Sequence, residues 1–262
     1  MEVRLHTPYH RNMGDFLHCL PVISGFCKKF GVRVSFGISQ HLRKFDGIRE
    51  LLLLQGFFSE VYFLDEHAPY EDSLLLHNLG KAGSDGKSPM ACYQFLNHLK
   101  GYGLDFDIDC DFELKVPILP IDYLPGKIIV GDRWSPSDAP DVDSRRLSNV
   151  LRNSGKFNGD RFHYLDYRNG VVHNASLIKY NPNPFYTTST GISIVSDMMN
   201  KESYMLYGPD MENWQGNSIE CEYDFHYFKN KRTRIASIGS FSWDVDFKTL
   251  SRNPGTACGC RY

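Results

Sequence analysis

The sequence predicts an α/β protein of two units, each a parallel sheet flanked by helices. Three observations carry this. Apolar spacing alternates between strand and helix periods from Val3 to Tyr102. The alternation restarts at Lys127 and runs to Tyr207. Between them lies a stretch with several aspartates, then Pro117, Pro120 and Pro125, where both periods fail. A linker near residue 120 gives predicted domains of residues 1–120 and 121–262.

Val3–Thr7 reads as the first strand, followed by a loop to Gly14. From Asp15 to Phe30 the apolar positions 16, 17, 20, 23, 26, 27 and 30 have helical spacing, and Gly31 closes that helix. Val32–Ile38 alternates as a strand, and Leu42–Gln55 is a helix with Leu51 to Leu54 as its buried end. Val61–Leu64 and Leu74–Leu76 are short strands, and Ser88–Tyr102 is a helix ended by Gly101 and Gly103. Phe112–Val116 reads as a peripheral strand.

The second unit opens with a strand at Lys127–Val130 and a polar loop, Gly131–Pro140. A helix at Ser144–Arg152, a strand at Phe162–Tyr167 and a short helix at Ala175–Tyr180 follow. Phe185–Thr188 is a strand, Gly191–Asn200 a helix and Ser203–Tyr207 a strand. Beyond these, Glu222–Phe228 reads as a strand and Trp243–Leu250 as a closing helix.

Bulk composition removes several classes. A net charge of −2 advertises no global basic field for nucleic acid or anionic membrane. Local basic runs exist at Arg145-Arg146 and Lys229–Arg234, and such runs are first of all solvated surface. Aromatic residues make up 14%, enough for core filling first and for a platform that stacks sugars or bases second. Seven scattered cysteines do not form a disulfide framework, and Cys258-Gly259-Cys260 has no partner pair at zinc-site spacing. Reduced thiols fit a cytoplasmic protein, as does the lack of a membrane-spanning run or signal-peptide pattern.

Two motifs concentrate the chemistry. The first is Asn12-Met13-Gly14-Asp15-Phe16-Leu17-His18-Cys19-Leu20-Pro21, just after the first strand. A glycine there lets the backbone turn and approach a ligand, and Asp15 stands at the carboxyl edge of a parallel sheet, where ligands bind. The plain structural role for Asp15 is a helix N-cap. The second is Ser189-Thr190-Gly191, followed by Gly208-Pro209-Asp210. Small hydroxyl residues and glycine opening a helix expose free N–H groups to an anion such as a diphosphate; an ordinary N-cap is the plain alternative. The two motifs are expected to be half-sites facing across a cleft.

Together the motifs resemble the lipopolysaccharide heptosyltransferases of glycosyltransferase family 9. Those proteins carry Met-Gly-Asp-apolar-apolar-polar-polar-Leu-Pro after the first strand, matched by Met13 to Pro21. Their Asp-Thr-Gly turn, helix, strand and Gly-Pro-Thr turn are matched by Ser189-Thr190-Gly191, the helix to Asn200, Met205-Leu206-Tyr207 and Gly208-Pro209-Asp210. Ser189 and Asp210 depart from the family residues, and Ile194 stands where many members have histidine. The resemblance implies a GT-B fold of two Rossmann-like domains flanking a cleft, with acceptor domain first and donor domain second. It implies that Asp15 is the catalytic base. It implies that Met13, Gly14, Ser189, Thr190 and Gly191 meet the donor and that no metal or cofactor is needed. The family's loop lysine has no clear match; Arg133 takes its place, with Arg145 as second choice.

The expected function is therefore an inverting, metal-independent glycosyltransferase using a nucleotide-sugar donor. Its acceptor hydroxyl belongs either to a hydroxymethylated base in bacteriophage DNA or to a cell-surface saccharide. A DNA acceptor requires a local basic rim, for which Arg145-Arg146 and Lys229–Arg234 are the candidates. A non-catalytic nucleotide or sugar binder is the alternative, and another nucleotide-using enzyme on a doubly wound sheet is the third class.

Overall fold

The computed structural model describes residues 2–64, 73–78, 90–131, 161–187, 191–207, 213–214, 217–218 and 233–237. The chain divides into two compact units. One is Met1–Pro117 with Arg168–His173; the other is Ile118–Tyr167 with Asn174–Tyr262.

The first unit is built on four parallel strands: β1 (Glu2–Thr7), β2 (Arg33–Ser39), β3 (Phe58–Leu64) and β4 (Leu74–Leu75). Their order is β3-β2-β1-β4. The chain steps outward from β1 to β3, then returns to the other side of β1 for β4. The position between β1 and β4 is thus the topological switch point of this sheet. Phe16, Phe36 and Phe58 form a buried stack, with ring centroids 5.9 and 4.9 Å apart.

Helices α1 (Met13–Leu17) and α2 (Cys19–Phe30) replace the single helix expected over Asp15–Phe30. The break at His18 follows from Pro21. A proline lacks an N–H and crowds the carbonyl four residues earlier, here Leu17, so a continuous helix is disfavoured. In the observed arrangement Pro21 lies in the first turn of α2, where N–H groups have no helical acceptor anyway. Gly31 ends α2 in the left-handed conformation, φ 63°.

The helix expected over Leu42–Gln55 is also divided, into a 3-10 turn at Gln40–Lys44 and α3 (Ile48–Leu53). Gly47 separates them with φ 79°, a conformation that no helix interior permits. The Asp46 carbonyl there accepts from the Val171 N–H at 2.6 Å, which helps group Arg168–His173 with this unit. Helix α4 (Met90–Lys100) ends before Gly101 as expected.

No strand forms at Phe112–Val116. The Gln55 side-chain amide takes the place of a partner strand, accepting from the Lys115 N–H (2.9 Å) and donating to the Lys115 carbonyl (3.1 Å). The same segment is fastened to α2. Asp109 N–H donates to the Pro21 carbonyl at 3.0 Å, and Ser24 donates to the Asp109 carboxylate at 2.6 Å. Lys28 pairs with that carboxylate at 2.7 Å. Burial opposes the Asp109 charge, but the hydrogen bonds from Lys28 and Ser24 outweigh it and hold the carboxyl below its ordinary range.

The second unit has five parallel strands: β5 (Ile128–Gly131), β6 (Phe162–Tyr164), β7 (Phe185–Thr187), β8 (Ser203–Tyr207) and β11 (Thr233–Ser237). Their order is β11-β8-β7-β5-β6, so the switch point lies between β5 and β7. A small antiparallel pair, β9 (Asn213–Trp214) and β10 (Asn217–Ser218), stands apart from that sheet. Helices α5 (Gly170–Tyr180) and α6 (Gly191–Met198) complete the described elements.

Three expectations change here. Strand β6 stops at Tyr164, and Tyr167–Asn169 is a 3-10 turn. Helix α5 begins at Gly170 rather than Ala175, because a glycine at φ 78° can open a helix as well as stop one. The basic run Lys229–Arg234 does not stay surface throughout. Thr233 and Arg234 open β11, and buried Thr233 donates its hydroxyl to Asp197 at 2.9 Å. The helices expected at Ser144–Arg152 and Trp243–Leu250 and the strand expected at Glu222–Phe228 lie outside the described residues.

Close packing on α2 gives a stability test. A Cβ on Gly25 would stand 2.0 Å from the Asp107 carbonyl oxygen, a backbone atom that cannot rotate away. Gly25→Ala should therefore cost about 1–3 kcal/mol in urea unfolding, the usual overpacking penalty. A variant as stable as the parent would show that residues 104–116 do not lie on α2 in this way.

Candidate functional site

The first motif leaves β1 at its carboxyl end. Asn12 occupies the N-cap position of α1 with extended backbone (φ −110°, ψ 136°), and its carbonyl accepts from the Phe16 N–H at 3.2 Å. The helix therefore starts at Met13, and Asp15 is its third residue. The capping role considered for Asp15 is not the one it has. Its side chain is half-buried, and among the described residues its carboxylate has no hydrogen-bond or ion-pair partner. The first turn of a helix is a favourable place for such a charge.

Gly14 is the second helical residue, so its backbone does not make the tight turn expected of it. Met13 is buried in the core, leaving its main chain as the part that can meet a ligand.

A glycine gap supports this edge from below. His6, Gly37 and Tyr62 stand in register across β1, β2 and β3. The missing side chain at Gly37 lets the His6 ring pass over β2 to the Tyr62 hydroxyl, a hydrogen bond of 2.6 Å. A Cβ on Gly37 would lie 2.6 Å from His6 Cδ2. The other His6 nitrogen bonds Ser73 Oγ at 2.9 Å, and the His6 carbonyl accepts from the Leu76 N–H at 2.8 Å. Those contacts place the end of β4 beside the end of β1.

Residues that the sequence reading passed over gather at this switch point. Tyr9 and His10 belong to the loop after β1, and His77 follows β4. The Tyr9 ring lies 5.1 Å from the His77 ring, and His77 lies 5.7 Å from His10. His10 packs on Phe95 of α4 (5.2 Å) and on Phe16, the neighbour of Asp15 (6.2 Å). Only topology could have revealed this group, since its members are far apart in sequence. Among the described residues no group of three or more His, Cys, Asp or Glu could hold a metal ion.

In the second unit, Val130 pairs with Tyr186 and Gly131 with Thr187, and Thr187 donates its hydroxyl to the Gly131 carbonyl at 2.8 Å. Strands β5 and β7 thus end side by side at the switch point. In sequence, Arg133 follows the end of β5, and Ser189-Thr190-Gly191 follows the end of β7. Gly191 is the first residue of α6. Arg133, Arg145, Ser189, Thr190 and Gly208-Pro209-Asp210 lie outside the described residues. Buried thiols contribute no nucleophile: burial raises Cys19, and it pushes Cys27 up to about 12.

This arrangement is that of the GT-B glycosyltransferases, and solved structures share it. The family 9 glycosyl transferase of Veillonella parvula is 11% identical, with TM-score 0.57 over 90% of this chain and 85% of its own. ADP-heptose LPS heptosyltransferase II of E. coli aligns over 97% and 95%, at 11% identity and TM-score 0.51. E. coli heptosyltransferase WaaC with ADP-2-deoxy-2-fluoro heptose aligns over 80% and 89%, at 11% and 0.50. No family model matches the sequence, and no curated protein matches it. No helix among the described residues is long and apolar enough to cross a membrane.

The buried histidine yields a pH prediction. Burial first, then the neighbouring His77, pushes His10 from 6.5 down to about 4. An unfolded chain takes up this proton near pH 6.5, whereas the folded protein takes it up only near 4. Stability from His10 is therefore complete above about pH 6.5, falls as pH drops, and levels off below about 4. The full loss is about 3 kcal/mol. Urea midpoints of the parent should decline over this window more steeply than those of His10→Asn. Equal slopes would refute the assignment.

Proposed function

We propose that the chain is an inverting, metal-independent glycosyltransferase that moves a sugar from a nucleotide-sugar to an acceptor hydroxyl. The observation that carries this reading is Asp15: a half-buried carboxylate without a partner among the described residues, just beyond the end of β1. A general base needs a free lone pair, and a carboxylate can take the acceptor proton because the hydroxyl acidifies as the new bond forms. A carboxylate with a purely structural role would be expected to hold a cap or an ion pair.

In this reading the first unit receives the acceptor and the second holds the donor. The N–H groups opening α6 at Gly191, with Ser189 and Thr190 before it, would bind the donor diphosphate. Arg133 would neutralise the charge that grows on the leaving diphosphate, with Arg145 as the next candidate. Met13 and Gly14 would meet the donor through their main chain. Of the structures of similar fold, one holds ADP-2-deoxy-2-fluoro heptose and another is an ADP-heptose heptosyltransferase, so ADP-sugars are the first donors to try. The acceptor belongs either to a cell-surface saccharide or to a hydroxymethylated base in phage DNA, and the site of action is the cytoplasm.

The decisive variant is Asp15→Asn. It should keep the fold and donor affinity, while transfer falls by roughly 10²–10⁴, the usual share of general base catalysis. Full transfer by the folded variant would remove Asp15 from the mechanism. A protein that only holds nucleotide-sugars would bind the donor without ever releasing nucleoside diphosphate.

Donor placement has its own test. Gly191→Val should weaken nucleotide binding by about tenfold or more in a thermal-shift titration, because a β-branched side chain obstructs approach to the helix opening. Unchanged affinity in a folded variant would move the diphosphate elsewhere.

A further inference from the structure

Aromatic rings line the switch point of the first sheet, and the proposed transferase leaves them without a task. Tyr9 is 60% exposed, although it sits in a short loop beside a buried core. Its ring leans on half-buried His77. Behind His77 stand His10 and, on α4, His98 at 6.3 Å. Beyond His98, Tyr102 packs edge-on at 5.8 Å and is again exposed.

Among the described residues, one buried nitrogen each of His10, His77 and His98 has no hydrogen-bond partner. Among the described residues no carboxylate is paired with these rings. Burial accordingly lowers His10 and His77, the latter also through His98. At the row's exposed end, the Tyr9 ring and the His77 ring, whose charged form burial disfavours, present aromatic faces. One cation belongs to the same loop, the exposed Arg11, and Asp15 follows four residues later. Neither Tyr9 nor His77 offers a fixed positive charge such as a polyanion requires, and the next cations along this edge, Arg43 and Lys44, follow β2 rather than β1 or β4.

We propose that Tyr9 and His77 form the platform for an uncharged saccharide acceptor, whose ring lies face-on against Tyr9. This rests on the transferase reading above and names its acceptor class. The apolar C–H face of a pyranose complements the electron-rich face of an aromatic ring, and its hydroxyls satisfy water at the rim. An acceptor held there projects a hydroxyl toward the turn that carries Asp15, since His10 backs the platform and packs on Phe16. Duplex DNA fits the platform itself poorly, because neither Tyr9 nor His77 gives a phosphate a fixed cation to pair with.

The experiment uses the full chain and two independent readouts. Saturation-transfer NMR measures binding of neutral methyl glycosides and disaccharides, of the matching uronic acids, and of a duplex containing 5-hydroxymethylcytosine. Nucleoside diphosphate release from an ADP-sugar measures transfer to the same probes. Neutral saccharides should bind the parent. Tyr9→Ala should weaken that binding by about tenfold and raise KM for the acceptor with little change in kcat, while Tyr9→Phe keeps both. The Tyr9→Ala variant should show the parent's melting-temperature shift with the ADP-sugar. Preference for the uronic acids or the duplex, or equal saccharide binding by Tyr9→Ala, would overturn the platform. If no diphosphate is released with any probe but saccharide binding still depends on Tyr9, the platform stands and the transferase reading falls.

Discussion

Parallel pairing is the constraint on which the rest of this molecule depends. In both larger sheets every strand runs with its neighbours, so all carboxyl ends meet on one edge. Parallel neighbours cannot be joined by hairpins and need crossovers, which leave the first strand with partners reached by opposite routes. A gap in the wrapping then opens beside β1 in one unit and beside β5 in the other. Asn12–Asp15 follows the end of β1 beside one gap, and the strands that flank the other, β5 and β7, are those that precede Arg133 and Gly191 in sequence. Chemistry follows the edge because the backbone leaves no other place where loops from distant segments converge.

Holding that edge requires space as much as contact. His6 reaches Tyr62 only because Gly37 contributes no side chain between them. Thr187 reaches the Gly131 carbonyl, and a Cβ on Gly131 would lie 2.6 Å from Phe185. Gly37 within β2 and Gly131 at the end of β5 each offset the usual conformational-entropy cost of a strand glycine by a cross-strand fit. The same economy governs the connectors. Gln55 binds both main-chain groups of Lys115, and Asn181 donates to the carbonyls of Tyr123 and Leu124 at 2.7 and 2.8 Å. One amide in each unit satisfies backbone groups that no strand covers.

The alternation of strand and helix was legible because the crossover helices bury one face and the parallel strands bury both. Boundaries failed where a single residue overrode the pattern. Pro21 divided one amphipathic run and Gly47 another, without changing which residues are buried. Strand β11 was hidden because its opening residues extend a basic run, and its place depends on pairing with β8 and on the Asp197 contact. Asp15 and Gly191 were readable as local signals, each at the start of a helix after a strand. Tyr9, His10 and His77 were not. Their common feature is a place at the ends of two strands that pair only in the folded sheet.

Electrostatics link the readable carboxylate to the unreadable rings. A base must keep its lone pairs free, and the nearest threat to them is a permanent cation at bonding distance. Arg11 is exposed, where water and salt screen it. The ring packed on Phe16 belongs to His10, which burial lowers to about 4 and so keeps neutral near pH 7. Three orphaned imidazole nitrogens carry a cost in stability. That cost becomes intelligible if the alternative, a charged cluster beside Asp15, would tie the carboxylate into an ion pair. In the proposed mechanism His10 and His77, which burial disfavours as cations, would leave the Asp15 carboxylate free to act as the base, and the exposed face of the platform would suit a sugar rather than a phosphate.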